Sequence, residues 1–116
     1  MKIITETFGN VLVAHAPDEL TEDSTGALVD TVHAAFASGQ TAIVLQMENS
    51  ETFDSSGLTQ LADLQDELRE QNGSLTMCGL SETGRTIFRI TRLEHEFEIC
   101  ESVIDAVTRL QSNQRT

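Results

Sequence analysis

The sequence contains no tryptophan and no tyrosine, and only one proline among its 116 residues. Five phenylalanines are the only aromatic residues, so the core must be built mainly from aliphatic side chains. A chain of this length buries about two-thirds of its unfolded surface, which suffices for one domain without disulfides or metal. We therefore expect residues 1–116 to form a single domain.

Positive charge is also scarce. Seven lysines and arginines stand against 19 aspartates and glutamates, which gives a formal net charge of −12. Such a chain repels phosphate backbones and anionic lipid, so nucleic acid and a bare membrane surface are disfavoured as partners. The charge favours a protein partner with a basic face, although acidity that serves only solubility is an equally open interpretation.

Long apolar runs and export signals are missing as well. No run approaches the roughly 18 residues of a transmembrane helix. The N-terminal segment MKIITETFGN lacks the charged, apolar and small-residue order of a signal peptide. Cys78 and Cys100 lie in apolar surroundings without CxxC or histidine-rich spacing, which is typical of reduced core residues. We expect a cytoplasmic protein that is not inserted in a membrane and binds no metal.

Strand-forming runs alternate with helical repeats along the chain. KIITETF and VLVAHA, separated by Gly9-Asn10, predict a β-hairpin. Pro17 should end the second strand, and DELTEDST should open a helix that closes near Gly39. Strands at TAIVLQM, SLTMC and FEIC alternate with three further helices, the clearest of which carries leucines at 58, 61, 64 and 68. The order β-β-α-β-α-β-α-β-α predicts an α/β domain with a mixed, mostly parallel sheet of four to five strands and about four helices.

The segment FDSSGL, residues 53–58, lies where a strand hands over to the leucine-rich helix. Either Asp54 or Ser55 could cap that helix, and Gly57 would relax the backbone of the turn. Ser56 then falls in the first helical turn, where it is not needed for capping and should face solvent. Loops that leave the carboxyl end of a parallel strand are common docking sites, so Ser56 is a candidate functional residue.

Three uses of Ser56 can be compared. A hydrolase nucleophile would need a G-x-S-x-G elbow and a histidine base, and neither accompanies this serine. A phosphate-binding loop would need more glycines and a lysine. A phosphate attached to Ser56 itself would instead meet free amides and the positive end of the helix dipole. Of the three uses, Ser56 is best placed to be a phosphate acceptor, and we expect a protein that is not an enzyme.

The run EHEFE, residues 94–98, places His95 among three acids and could suggest a metal site. Alternation along a strand would put Glu94, Glu96 and Glu98 on one face and His95 on the other. That separation favours a solvated, charged strand edge.

The stretch VLQMENSETFDSSGLTQLADLQDELREQNGSLTMCGL resembles the centre of a STAS domain of the anti-sigma factor antagonist (anti-anti-sigma) family. TRLEHEFEICESVIDAV resembles the final segment of the same domain. The resemblance implies that Ser56 accepts phosphate from a partner serine kinase, which is also the anti-sigma factor. Asp54, Ser55, Gly57 and Leu58 would complete the partner-binding loop.

In this family the unphosphorylated domain binds the anti-sigma factor and so frees the sigma factor, while phosphorylation blocks the binding. ATP and magnesium belong to the kinase, so the resemblance implies that this chain needs no cofactor.

The sequence departs from the family pattern at three positions. Thr21 stands where a G-E-L-D segment often has its aspartate, Gln46 replaces an aspartate or asparagine of the central strand, and Arg92 replaces a glycine before Leu93. The acidic loop still contributes Asp18, Glu19 and Thr21 as candidate partner contacts.

Two alternatives stay open. Within the fold, the chain could be a STAS subunit of another assembly, such as a stressosome scaffold or the accessory of a lipid-transport ABC system, that docks without phosphorylation. From a different class, a small-ligand sensor or a hydrolase is less favoured, because the sequence shows no catalytic base and no polar pocket signature.

Overall fold

The computed structural model describes residues 2–113. In chain order the elements are β1 (Thr5–Phe8), β2 (Val11–His15), β3 (Glu19–Leu20), α1 (Thr25–Ala37), β4 (Ala42–Gln46), β5 (Thr52–Phe53), α2 (Ser55–Glu70), β6 (Ser74–Cys78), α3 (Glu82–Ile90), a 3-10 helix (Leu93–His95), β7 (Glu98–Cys100) and α4 (Val103–Asn113).

The main sheet has five strands in the order β1-β2-β4-β6-β7. β1 pairs antiparallel with β2 through a turn in which Gly9 has φ +61°, and the other three pairs are parallel. The predicted hairpin, the mixed and mostly parallel sheet and the four α-helices are therefore confirmed.

The helices cover the two faces of this sheet unequally. Leu12, Ile43 and Leu75 face a large core shared with α1, α2 and α3. Val13 and Val44 face a smaller core on the other side, which α4 closes. Because both faces are covered, every residue of β4 is buried, as its continuous apolar run predicts.

One prediction was wrong at the acidic run DELTEDST. The helix begins only at Thr25, and its first turn contains no acidic residue. Glu19 and Leu20 instead form β3, which pairs in parallel with β5 as a small second sheet. Leu20 is completely buried, so burial of this leucine outweighs the local helix signal and leaves the acids on an exposed loop.

The segment 94–98 also differs from its predicted strand. Glu94 and His95 lie in the 3-10 helix, and β7 begins only at Glu98. Phe97 is buried beside Phe88, with ring centroids 6.0 Å apart, and this packing turns the chain before the strand starts.

The apolar periodicity predicts the last two helices correctly, but it does not predict which of their apolar residues face the core. Phe88 of α3 and Ala106 of α4 are fully buried, whereas Ile90 and Ile104 are 73% and 77% exposed. Among residues 2–113, no helix is both long enough and apolar enough to cross a membrane.

Candidate functional site

Asp54 caps helix α2. Its backbone is extended, and its Oδ1 atom accepts a hydrogen bond from the Gly57 amide at 2.7 Å. The sequence left Asp54 and Ser55 open as capping residues, and the structure selects Asp54. Ser81 caps α3 in the same way, accepting from the Gly84 amide at 3.1 Å.

The same carboxylate also holds the acidic loop. Asp54 Oδ2 accepts from the backbone amide of Glu22 at 3.1 Å, and the Asp54 amide donates to the Leu20 carbonyl at 3.2 Å. Asp54 therefore joins two segments that lie about thirty residues apart in the chain, namely the start of α2 and the loop that follows β3.

Gly57 is required by steric contact and not by backbone flexibility. It lies within α2, is buried and has no positive φ. A Cβ atom at this position would lie 2.1 Å from the Leu20 carbonyl oxygen and 2.9 Å from Thr25 Oγ1. The expectation that Gly57 relaxes the turn is thus replaced by close packing of α2 against the segment that leads into α1.

The two serines occupy the first two positions of α2 and differ in exposure. Ser55 is exposed, whereas Ser56 is half-buried and so less open to solvent than the sequence suggests. Within residues 2–113, neither hydroxyl makes a hydrogen bond. Both hydroxyls therefore remain chemically available, and the choice of Ser56 over Ser55 rests on the family resemblance.

The acidic loop lies beside the start of α2, which carries the serines. Glu19 pairs with Thr52 two residues before Asp54, and the Asp18 carbonyl accepts from the amides of Glu51 and Thr52. Thr21 is half-buried, and its amide donates to Ser24 Oγ at 3.1 Å. The structure thus brings Asp18, Glu19 and Thr21 to the end of the molecule that carries residues 54–58.

A shallow groove beside Ser55 was not predicted. It has a volume of about 270 Å³ and is lined by Ser55, Leu58, Thr59, Ala62, Thr91 and Leu93. Leu58 is only 9% exposed, so it supports this groove while belonging mainly to the core. Ser55, Thr59 and Ala62 share a helical spacing, but no sequence signal connects them with Thr91 and Leu93.

The other two departures from the family pattern have local structural consequences. Gln46 is nearly buried, and its Oε1 accepts from the Glu48 amide at 3.0 Å, so it orders the loop after β4. Arg92 has φ +64°, the left-handed conformation that a glycine would adopt more readily.

Cys78 and Cys100 are neighbours on β6 and β7, and both are buried free thiols, as predicted. Burial, followed by the charge interactions with Cys100 and Glu48, raises the pKa of Cys78 to about 11. Burial and the nearby Asp105 raise the pKa of Cys100 as well. Both thiols therefore stay protonated near neutral pH. In the part of the chain that the structure describes, no group of three or more histidine, cysteine or acidic residues could hold a metal ion.

The comparisons with known proteins agree with this architecture. A family model described as the STAS domain matches residues 2–106. An anti-sigma factor antagonist from Mycobacterium paratuberculosis has a similar structure, with a TM-score of 0.82 and 23% identity over 95% of this chain and 93% of that chain.

SpoIIAA, an anti-sigma factor antagonist, is similar in its unphosphorylated form, with a TM-score of 0.78 and 20% identity over 95% of this chain and 96% of that chain. The phosphorylated form from Bacillus gives a TM-score of 0.70 and 21% identity over 93% and 98% of the two chains. A variant of RsbS from Moorella thermoacetica gives a TM-score of 0.83 and 10% identity over 100% of both chains. At these identities the similarity establishes the fold. A search of curated protein sequences finds no significant match.

Proposed function

The chain belongs to the STAS domain family, and we propose that it acts as an anti-sigma factor antagonist controlled by phosphorylation at Ser56. In its unphosphorylated form it binds an anti-sigma factor that is also a serine kinase, and the sigma factor is released. The chain catalyses no reaction itself and works as a protein-binding module in the cytoplasm.

This proposal rests on the different roles of the residues in the serine loop, residues 54–58. Asp54 makes the capping hydrogen bond to Gly57, while the hydroxyls of Ser55 and Ser56 make none within residues 2–113. A phosphate on Ser56 therefore replaces no structural contact. It adds a charge approaching −2 at the start of a helix, where amides and the helix dipole tolerate it.

The transfer itself is chemistry of the kinase. The Ser56 oxygen forms a bond to the γ-phosphorus of ATP, the bond to ADP breaks, and the hydroxyl proton passes to the kinase. Magnesium and ATP are bound by the kinase. The domain supplies the half-buried Ser56 hydroxyl in the first turn of α2.

The surface around the serine suits a basic partner with an apolar anchor. Glu22, Glu51 and Asp54 are exposed at this end of the molecule, so positive residues on the partner complement it. The groove beside Ser55 can accept one apolar side chain of the partner. A phosphate inside such a contact would be desolvated next to these acids, which can weaken binding by orders of magnitude.

Intact-mass measurement tests the proposal directly. The protein is incubated with ATP, magnesium and the candidate anti-sigma kinase, and Ser56→Ala is compared with Ser55→Ala. We expect wild type and Ser55→Ala to gain one phosphate, whereas Ser56→Ala gains none. Phosphorylation of Ser56→Ala to the wild-type level would refute the assignment of Ser56, and no transfer to wild type would refute the switch.

A second candidate is a subunit of a larger assembly, such as a stressosome, that docks without being phosphorylated. The similarity of fold to RsbS over the full length of both chains is compatible with this candidate. Size-exclusion chromatography with multi-angle light scattering separates the two functions. A stable complex with a second STAS protein, together with no phosphate transfer, would favour the assembly role.

A further inference from the structure

Two arginines on helix α3 form no ion pair within residues 2–113, although acids greatly outnumber bases in this chain. The structure pairs Arg69 with Glu96 and Arg109 with Glu98. The guanidinium groups of Arg85 and Arg89, in contrast, make no ion pair and no hydrogen bond within residues 2–113. Both side chains are exposed, so their guanidinium groups are free to bind an external anion.

Both arginines line the same concave surface. They are four residues apart on α3 and therefore lie on one side of the helix. The cleft beside them has a volume of about 480 Å³, within the range of roughly 300–1,000 Å³ that is typical of small-molecule sites. It lies between α3 and the segment 94–99. Its apolar walls are formed by Leu80, Phe88, Phe97 and Ile99.

The negative charge of the acidic residues at this cleft does not outweigh the positive charge around it. Glu98 is engaged by Arg109 of α4. Glu94 lies 3.9 Å from His95, which also lines the cleft and is 71% exposed. The cleft lining carries two arginines and two glutamates, and Arg109, which is paired with Glu98, brings the formal charge of these five groups to +1 although the whole chain is strongly negative.

We propose that the cleft lined by Arg85 and Arg89 binds a small anion that carries a carboxylate or phosphate group on a partly apolar body. The planar guanidinium groups of the arginines match the oxygens of either group and can bind them in pairs. Ile99 is the partly exposed residue of the apolar lining and contacts the apolar part of the ligand, whereas the other three apolar residues are buried. None of the residues that line the groove beside Ser55 lines this cleft, so the site is separate from the proposed phosphorylation loop.

The global charge favours a small anion over an extended one. A nucleic acid or an acidic protein would meet the repulsion of a chain with net charge −12 along its whole length. A compact ligand responds mainly to charges within about 8 Å, the screening length at physiological salt. Arg85 and Arg89 line the cleft and supply the positive charge that such a ligand would meet there.

Titration of the full-length protein with four probes tests the proposal: inorganic phosphate, citrate, adenosine monophosphate and decanoate. Amide resonances are followed by two-dimensional NMR spectroscopy. We expect at least one probe to shift amides of residues 85–99 in a saturable manner, with a dissociation constant of about 1 mM or tighter. In Arg85→Gln/Arg89→Gln the same probe should bind about tenfold more weakly or worse.

Arg92→Gln is the matched control. It removes one positive charge, as each single variant does, but Arg92 does not line the cleft, so affinity should stay within about twofold. The single variants Arg85→Gln and Arg89→Gln provide the same comparison if the double variant folds poorly. Absence of saturable shifts with all four probes, undiminished binding in the double variant, or equal loss in Arg92→Gln would overturn the proposal. Binding of a glutamate-rich peptide without binding of the small probes would overturn it too, and none of these results bears on Ser56.

Discussion

A Cβ atom at Gly57 would lie 2.1 Å from the carbonyl oxygen of Leu20, so these two residues fix how closely helix α2 approaches the acidic loop. The contact joins the helix that carries the two serines to the segment that holds Asp18, Glu19 and Thr21. It explains why a glycine follows the serines in a position that needs no positive φ.

Gly57→Ala should therefore destabilise the domain. The clash is with backbone, so α2 or β3 must move, and overpacking of this kind costs about 1–3 kcal/mol. The free energy of unfolding is measured by urea denaturation. Gly26→Ala is the matched control, because Gly26 is also helical and nothing lies within 4 Å of its added Cβ. The control should be neutral or stabilising by up to about 1 kcal/mol, and similar losses in both variants would contradict the steric explanation.

Asp54 should stabilise the domain through two hydrogen bonds, which different substitutions can remove separately. Asp54→Ala removes the cap on Gly57 and the contact to the Glu22 amide, and loss of a cap costs about 0.5–2 kcal/mol. Asp54→Ser should restore the cap, as Ser81 does on α3, but not the contact with the acidic loop.

Hydrogen exchange distinguishes the two contacts of Asp54. The Glu22 amide should lose protection in both variants, whereas the Gly57 amide should lose it only in Asp54→Ala. Retained protection of Glu22 in both variants would mean that the carboxylate does not hold the loop.

Substitution of the serines should affect binding more than folding. Because neither hydroxyl makes a hydrogen bond within the described residues, Ser55→Ala and Ser56→Ala should each change the free energy of unfolding by less than about 0.5 kcal/mol. Ser56→Asp should shift the melting temperature by only a few degrees, about 3 °C or less.

The same Ser56→Asp variant should bind the anti-sigma partner about tenfold more weakly or worse, as measured by isothermal titration calorimetry. Thr108→Asp is the control for added charge, because Thr108 is exposed on α4, which covers the other face of the sheet, and binding should stay within about twofold. A large loss of stability in Ser56→Asp would show instead that this residue has a structural role.

The buried thiol of Cys78 should make the protein less stable at alkaline pH. Its pKa is raised from 9.0 to about 11 in the folded state, so the unfolded chain releases this proton first as the pH rises. The protonated Cys78 thiol contributes on the order of 2 kcal/mol to the free energy of unfolding. This contribution is complete below pH 9 and is lost between pH 9 and 11. Denaturant melts across this pH range measure the effect. Cys78→Ala should show a shallower decline, and an unchanged decline would exclude Cys78 as its source.

The sequence by itself determined most of the architecture. Strand runs such as residues 42–46 and 74–78 and the leucine spacing of α2 are local patterns whose periods of two and 3.6 residues follow from backbone geometry. The position of the serines at the start of α2 was likewise readable, because capping chemistry is confined to a few neighbouring residues.

Only the tertiary structure decided which residues meet. It assigned the cap to Asp54, joined Asp54 to Glu22, and replaced a predicted helix start by strand β3, because burial of Leu20 outweighed a local preference. The groove beside Ser55 and the cleft beside Arg85 and Arg89 combine residues from separate segments. Such contacts depend on how packed elements approach one another across the sheet, and no local period in the sequence encodes that approach.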